Sequence, residues 1–317
     1  MLALAFLLDL WIGDPVYRFH PVRLMGWAIE RAEIFLRRMV TREKIAGAIL
    51  ALTFPFLVFF FVWGLLFLLG KFHALLAWLV SLFGIYSAIS IHDLRKEGLQ
   101  IYKDLEQGDL GDARRNLARI VGRETDSLEE REVLRAGIET IAESTLDGVI
   151  APLFYAAMGG APLALAYKAV NTLDSMIGHL NERHRDFGFI AAKQDELWNW
   201  IPARLAYFAI AVAAFVLNFR AKEALSAGWR DGIIASSGNG AIPEATFAGA
   251  LGLRLGGVNI YEGRAVEKPF LGFIEKDFDL EDLKKSLNLM LAASWTALLG
   301  SIFLKYGIDF VTLILTK

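Results

Sequence analysis

The chain has 317 residues, of which 55% are hydrophobic and 21% are charged. With Gly counted in place of Tyr the apolar share is about 61%, above the roughly 45–50% of soluble domains, so the surplus indicates a lipid environment. Lys and Arg (33) nearly balance Asp and Glu (35), which argues against a nucleic-acid binder, and the lack of Cys excludes disulfides, thiolate nucleophiles and Cys-ligated zinc.

The N-terminal segment, residues 1–44, is expected to form helices at the membrane surface. Residues 1–13 are apolar around Asp9 and predict a helix that stays in contact with the membrane. Between His20 and Lys44 the apolar residues follow helical spacing, while the arginines lie largely elsewhere, as in an interfacial helix. Because basic residues mark cytoplasmic segments, we expect this part of the chain on the cytoplasmic side.

Residues 45–91 carry the clearest membrane signal. Ile45 to Gly70 has no charge, and Phe72 to Ile91 has only His73 as a polar ionisable group. Both runs exceed the ~18 apolar residues that indicate a transmembrane helix. They predict a helical hairpin that turns at Lys71.

Three later runs are also uncharged. Ser286 to Leu304, within the C-terminal segment 286–317, predicts a span, and Leu205 to Phe219 predicts a shorter one. Gly148 to Tyr167 contains helix breakers, which are Pro152, Gly159, Gly160 and Pro162. Broken segments at membrane depth usually re-enter or line a cavity, so we expect re-entry here.

The sequence therefore predicts an all-α, polytopic integral membrane protein with about four to five spans, a re-entrant broken segment and helical loops that face the cytoplasm. We expect one membrane-embedded domain over residues 1–317, with a core that carries the motifs at 92–285. Gly256 to Tyr261 is the one β-leaning piece.

An acidic helix face precedes the broken segment. Glu139, Glu143 and Asp147 follow at i, i+4 and i+8. A solvated face is one interpretation. Since an ionisable group next to a membrane-depth segment is a functional candidate, a catalytic face is the other.

Lys168, Asn171 and Asp174 lie at helical spacing in an otherwise apolar stretch. Asn171 and Asp174 could offer oxygens to one hard cation such as Mg²⁺, which takes one or two carboxylates plus substrate phosphates. The alternative is a polar pair that packs between helices.

A similar group of polar side chains precedes the next apolar run and consists of Asp195, Asn199 and Arg204. Arg204 is interpreted either as a phosphate anchor or as a cation at the membrane interface. The turn RIVGRET places Arg119 and Arg123 where they could meet an anionic substrate, or simply solvent.

Two further segments are candidates. In the Gly-rich stretch from Ser237 to Gly257, we assign Ala245 to Gly256 to helix packing and Ser237 to Glu244, with Asn239, to function. His20 stands at the membrane edge before Pro21, where a structural turn explains it equally well.

Taken together, these clusters resemble the CobD/CbiB family of cobalamin biosynthesis. The resemblance runs along most of the chain, in the motifs GDPVYRFHPVRLMG from Gly13, IVGRETDSL from Ile120, IETIAESTLDGVIAPLFY from Ile138, AVNTLDSMIGH from Ala169, FGFIAAKQDELWNWIPARL from Phe187 and SGNGAIPEATFAGALGLRLGG from Ser237. Ser144 and Gly238 depart from the family pattern in a way that does not preserve the chemistry.

The resemblance implies a carbon–nitrogen ligase in the cell membrane, with its active site towards the cytoplasm. The enzyme would join (R)-1-aminopropan-2-ol phosphate, or a related amino alcohol phosphate, to adenosylcobyric acid and yield adenosylcobinamide phosphate. It implies Mg²⁺, ATP as co-substrate and a corrinoid substrate. The expected partners are these molecules and the bilayer, with no nucleic acid, and a homo-oligomer is left open.

The family motifs give positions and no division of labour, so the residue roles that follow are our own hypotheses. Glu143 would deprotonate the attacking ammonium, and His20, Asp147 and Asp174 are placed with it as catalytic. The metal ligands would be Asp147, Asn171, Asp174 and Asp195. The residues that bind substrate and phosphate would be Arg119, Arg123, Lys168, Asn171, Asn199, Arg204, Asn239 and Glu244.

Two other function classes are alternatives to the ligase hypothesis. A Mg²⁺-dependent membrane prenyltransferase also uses Asn and Asp on helices, but it would need more spans and a long lipid tunnel. A non-catalytic membrane sensor of the same fold could keep the small residues that pack helices, but it would have no reason to keep so many intramembrane polar groups.

Overall fold

The computed structural model describes residues 1–14, 17, 19–178, 183–235, 238–261, 263–273 and 276–315. The motif residues Ser237 and His179 lie outside the described residues.

In chain order the elements are α1 (Leu2–Ile12), α2 (Pro21–Met39), α3 (Glu43–Phe72), α4 (Ala74–Tyr86), α5 (Ile91–Glu106), α6 (Leu110–Leu117), α7 (Glu130–Thr145), the π-helical turn π1 (Leu146–Ile150), α8 (Ala151–Ile177), α9 (Phe189–Trp198), α10 (Trp200–Val216), α11 (Ala221–Ala227), the π-helical turn π2 (Gly228–Ile234), α12 (Ala241–Leu251), β1 (Arg254–Tyr261), β2 (Arg264–Gly272) and α13 (Leu280–Leu315).

The chain divides into two compact units. The first comprises Met1–Ser90, Ala151–Trp200 and Leu298–Lys317, and the second comprises Ile91–Ile150 and Ile201–Ala297. The expected single domain over residues 1–317 stays a prediction.

A long apolar hairpin forms much of the first unit. α3 and α4 meet at His73, whose backbone is extended and whose Nδ1 accepts a hydrogen bond from the Leu76 amide at 3.3 Å. The middle of α3 exposes large apolar side chains such as Phe56 and Phe61. Because so large an apolar surface is unfavourable in water, it indicates contact with lipid. The hairpin predicted over residues 45–91 is confirmed.

A close backbone contact holds α9 beside α3. Ile29 of α2, Leu50 of α3 and Phe187 belong to one fully buried cluster. A Cβ on Gly47 would collide with the carbonyl group of Phe187. Glycine at this position therefore lets the backbone just before α9 approach α3 directly.

α8 reverses its direction at Gly159 and Gly160. Gly160 has φ 66° and ψ −157°, a conformation that residues with a side chain rarely adopt. The rings of Tyr155 and Tyr167 stack with centroids 5.0 Å apart, whereas a straight helix would separate these residues by about 18 Å. The two arms of α8 therefore lie against each other, as expected for a re-entrant break within Gly148–Tyr167.

By length and composition alone, four stretches of the described chain could cross a membrane: Glu43–Phe72, Ala74–Glu106, Glu130–Ile177 and Leu280–Ile314. Glu130–Ile177 contains the reversal of α8. α9 and α10, bent by 49°, make a fifth if they are counted as one span. The protein is a polytopic helical membrane protein, as predicted.

α12 occupies the interior of the second unit. Every residue from Ile242 to Leu251 is buried. A Cβ on Gly249 would overlap the backbone of Glu223 in α11, so α11 and α12 pack with their backbones close together. This contact accounts for the small residues that the sequence assigned to packing.

An antiparallel hairpin of β1 and β2 also belongs to the second unit, with Val258 opposite Glu267. Gly256 has positive φ at the point where the register shifts. The sequence predicted only Gly256–Tyr261 as β-leaning. The second strand was missed because Pro269 and the scarcity of β-branched residues weaken its signal. Over the residues that the structure describes, the fold is therefore mainly helical with one small β element.

Replacement of Gly160 by Ala should destabilise the reversal of α8 by about 1–3 kcal/mol, because the backbone conformation disfavours any side chain. The measurement is thermal unfolding in detergent. Gly64→Ala is the matched control, since a Cβ there meets nothing within 4 Å. Equal melting temperatures for Gly160→Ala and wild type would contradict the assigned turn.

Candidate functional site

A buried carboxylate on α7 is paired at both oxygens. Glu139 is 1% exposed, and its Oε1 accepts a hydrogen bond from the Gly256 amide at 2.8 Å. Its Oε2 accepts from the guanidinium of Arg123, which is 8% exposed. Since a buried carboxylate is tolerated only when it is paired, these contacts fix α7 to β1 and to the loop that carries Arg123.

Asn259 of β1 joins a second arginine to this ion pair. Its Oδ1 accepts from Arg123 Nη1 at 2.6 Å and from Arg135 Nη2 at 3.0 Å. Arg135 also donates to the carbonyl oxygens of Gly256 and Val258. Arg123, predicted to bind phosphate, is therefore already engaged by protein groups.

The two arginines of the RIVGRET turn differ in their surroundings. Arg119 is exposed and its Nη2 lies 2.5 Å from Glu97 Oε1. The solvated alternative thus describes Arg119 but not the buried Arg123.

The acidic face of α7 is not uniform. Glu139 is buried, Glu143 is exposed, and Asp147 is half-buried in π1. A π-helical turn bonds i to i+5, which rotates Asp147 away from the position that α-helical spacing assigns to it. The three carboxylates therefore have three different environments, which the sequence did not predict.

Glu143 lies against the start of α12. Its Oε1 is 3.3 Å from the position that a Cβ on Gly240 would take. Just before, Asn239 Oδ1 accepts a hydrogen bond from Arg204 Nη1 at 3.2 Å. The structure thus brings Glu143 next to the glycine of this loop and Arg204 next to Asn239.

The backbone amides at the start of α12 donate hydrogen bonds within turns. Ala241 N donates to Gly238 O at 3.3 Å and Ile242 N donates to Asn239 O at 3.1 Å. These amides therefore already have backbone acceptors within the loop.

Glu244 lies one turn into α12 and is buried, with its Oε1 4.0 Å from the Nζ of Lys268 on β2. Burial raises the pKa of Glu244 to about 8; Lys268 opposes this rise, while the carboxylates of Glu143 and Glu139 reinforce it. Glu244 is therefore mostly protonated at neutral pH, and it holds this proton in the neighbourhood of Glu143.

In the first unit, Asn199 connects the predicted residue Asp195 to Tyr167 of α8. Its Oδ1 accepts from Tyr167 Oη at 3.0 Å, and its Nδ2 donates to Asp195 Oδ2 at 2.9 Å. Tyr155 Oη donates to the carbonyl oxygen of Trp198 at 2.6 Å. The end of α9 is thus attached to both arms of α8 by hydrogen bonds and ring contacts.

The second arm of α8 carries the predicted cation ligands. Lys168 Nζ lies 3.4 Å from Asn171 Oδ1, and Asp174 is half-buried. A Cβ on Gly178 would overlap the carboxylate of Asp174, so glycine makes room for that carboxylate. No group of three or more His, Asp or Glu in the described part of the chain is arranged to hold a metal.

His20 is 3% exposed and occupies the position before Pro21 of α2, as expected. Its Nε2 lies 2.9 Å from Asp14 Oδ1, and its ring is nearly perpendicular to that of Tyr17, with the ring centroids 5.5 Å apart. The imidazole is thus held by its own segment of the chain.

Three groups of the second unit were missed from the sequence: Lys268, Arg135 and Asn259. Lys268 and Asn259 lie on the hairpin, whose second strand was not predicted, so no pattern placed them near α7 and α12. Arg135 precedes Glu139 by four residues, one helical turn, so the two side chains share a helix face. This spacing of opposite charges could have identified Arg135 from the sequence.

Arg123→Met should destabilise the second unit by about 3–5 kcal/mol, because it leaves the Glu139 carboxylate buried without its cation. Thermal unfolding in detergent measures the loss, with the exposed Arg119→Met as the control. The double variant Arg123→Met/Glu139→Gln should recover part of the stability that Arg123→Met loses. Additive losses in the double variant would contradict a direct ion pair.

The pH dependence of stability should change in Glu244→Gln. Because the folded state raises the pKa of Glu244 from 4.5 to about 8, its stabilising effect is complete below pH 4.5 and is lost as the pH rises towards 8. The wild-type melting temperature should therefore fall across this range relative to that of Glu244→Gln, which cannot ionise. The exposed Glu130→Gln serves as the control, and parallel curves for wild type and Glu244→Gln would exclude the raised pKa.

Comparison with known proteins connects this site to a family. The family model for the CobD/Cbib protein matches residues 2–290. The cobalamin biosynthesis protein CobD of Clostridium perfringens is 42% identical over 95% of this chain and 96% of its own length. The protein of the same name from Yersinia enterocolitica is 44% identical over 93% and 94%. The cobalamin biosynthesis protein CbiB of Salmonella arizonae is 40% identical over 93% of each chain.

No solved structure matches the chain. The family match and the identities extend over nearly the whole length, including both units and the elements that carry the acidic, amide and arginine clusters. The protein therefore belongs to the CobD/CbiB family.

Proposed function

We propose that the protein acts in cobalamin biosynthesis as a carbon–nitrogen ligase. It joins (R)-1-aminopropan-2-ol phosphate, or a related amino alcohol phosphate, to a propionate carboxylate of adenosylcobyric acid and forms adenosylcobinamide phosphate with consumption of ATP. Family membership and the names of the relatives support the pathway.

The reaction has two chemical requirements. A carboxylate does not accept an amine at neutral pH, so ATP first phosphorylates or otherwise activates it, and the activating group leaves when the amide bond forms. The ammonium of the amino alcohol phosphate must lose its proton before it attacks. The enzyme therefore needs a base for the ammonium and cations for the phosphates.

The observation on which the proposal mainly rests is the placement of Glu143. Its exposed carboxylate lies against Gly240, where a glycine leaves space, and the buried Glu244 lies nearby. Because Glu244 keeps its proton at neutral pH, it adds no second negative charge next to Glu143. Glu143 is then suited to accept the proton of the attacking ammonium.

Arg204, which donates a hydrogen bond to Asn239, is the proposed contact for a phosphate oxygen at the loop before α12. A guanidinium has five N–H donors in a planar fork, a geometry that suits phosphate oxygens as well as protein acceptors. Arg123 acts differently in this proposal, because its pairing with Glu139 makes it a positioning residue.

The residues also suit Mg²⁺ with ATP. Mg²⁺ bound together with phosphates needs only one or two protein carboxylates, so the lack of a three-residue cage among the described residues is compatible with it. Asn171 and Asp174, one helical turn apart on α8, would hold this ion, which would offset phosphate charge. Asp147 and Asp195 stay predicted ligands, and an active site that faces the cytoplasm, where ATP is available, is part of the proposal.

The test is amide formation by the purified protein with ATP, Mg²⁺, adenosylcobyric acid and aminopropanol phosphate, followed by mass spectrometry. Activation of the carboxylate is measured separately as ADP or pyrophosphate release with adenosylcobyric acid alone. Glu143→Gln should lower amide formation by about 10²–10⁴-fold, the usual contribution of a general base, and should affect activation far less.

Glu130→Gln, an exposed change on the same helix, is the matched control and should keep both activities. Equal losses in both assays for Glu143→Gln would remove the base assignment from Glu143. The lack of any ATP-dependent amide product with wild-type protein would reject the ligase function itself.

A further inference from the structure

A groove opens beside the first turns of α3. Its volume is about 630 Å³, within the usual range of about 300–1,000 Å³ for ligand sites. The lining residues are Arg42, Lys44, Ile45, Ala48, Ile49, Leu52, Thr53 and Ile190. The groove thus has two basic residues at one end and a nearly continuous apolar wall.

The positive charge at this end is not neutralised by its neighbours. Arg42 is exposed and makes no ion pair with any residue that the structure describes. Lys44 Nζ lies 4.4 Å from the centre of the Phe189 ring, which holds the ammonium at the groove. The intervening carboxylate of Glu43 is paired with Arg37. An anionic group would therefore find two available cations here.

The apolar wall follows one face of α3. Ile45, Ile49 and Leu52 lie at i, i+4 and i+7, which covers about 10 Å along the helix. The hydroxyl of Thr53 donates to the Ile49 carbonyl oxygen at 2.7 Å, so it presents no unpaired donor. α3 is a candidate span, and one leaflet of the hydrocarbon core is about 15 Å thick. The wall therefore matches an acyl chain in length and polarity.

We propose that this groove binds an anionic phospholipid. Arg42 and Lys44 hold the phosphate, and one acyl chain lies along Ile45, Ile49 and Leu52. A free phosphate would leave the apolar wall uncovered, and a zwitterionic lipid would bring its own cation next to Arg42. The site is independent of the proposed ligase reaction, because it uses none of the residues assigned to that reaction.

The experiment is native mass spectrometry of the detergent-purified full-length protein, titrated with phosphatidylglycerol or with phosphatidylcholine. Phosphatidylglycerol should bind more tightly, and added salt should weaken it. Arg42→Gln/Lys44→Gln should weaken phosphatidylglycerol binding by about fivefold for each charge removed. Ala48→Phe, which fills the groove and leaves its charge unchanged, should weaken binding of the same lipid as well.

Lys71→Gln is the matched control. Lys71 stands at the opposite end of α3, and its ammonium also lies 4.4 Å from a phenylalanine ring, that of Phe67. This variant should bind phosphatidylglycerol as wild type does. Unfolding curves for all variants verify that each one is folded.

Three outcomes would overturn the proposal. The first is equal binding of the two lipids by wild type. The second is unchanged phosphatidylglycerol binding in folded Arg42→Gln/Lys44→Gln or in folded Ala48→Phe. The third is competition by millimolar inorganic phosphate that fully displaces the lipid, which would assign the cations to a free phosphate instead.

Discussion

The buried carboxylate of Glu139 is the constraint on which the second unit depends. Burial of a charge costs several kcal/mol unless partners replace its water, and here those partners come from β1 and from the loop of Arg123. Because Gly256 contributes its backbone amide, the carboxylate sets the position of the strand itself. Asn259 and Arg135 then extend the same network along β1. The exposed Glu143 thus stands on a helix that is already fixed on its inner face.

This arrangement separates structural carboxylates from reactive ones. Glu139 has both oxygens occupied by protein donors, so it has little capacity left for a substrate. Burial raises the pKa of Glu244, which favours its neutral form and reduces the negative charge around Glu143. Glu143 keeps its access to solvent. Three glutamates within one unit thus differ in charge state and accessibility because their surroundings differ, although their chemistry is identical.

Much of the fold follows from local sequence, since an apolar run or a pair of glycines acts on its own segment. The hairpin before Ile91 and the break at Gly159 and Gly160 are examples, and both were predicted. The burial of Arg123 could not be predicted, because its partner Asn259 is 136 positions away on a strand with a weak signal. Lys268 was missed for the same reason. Helical periodicity also placed Asp147 on a regular face, whereas the backbone there forms a π turn.

The reversal of α8 also constrains how the protein can be assembled. Within hydrocarbon, the peptide groups of such a turn would have no water to bond with, so the hairpin would depend on neighbouring protein more than a single apolar helix does. It needs a protein surface to receive it, and Gly84 of α4 lies against Ala161 and Leu165, directly after the turn. Since α3 and α4 leave the ribosome before α8, the receiving surface is synthesised first. The order of elements along the chain thus supplies the receiving surface before the hairpin that packs on it.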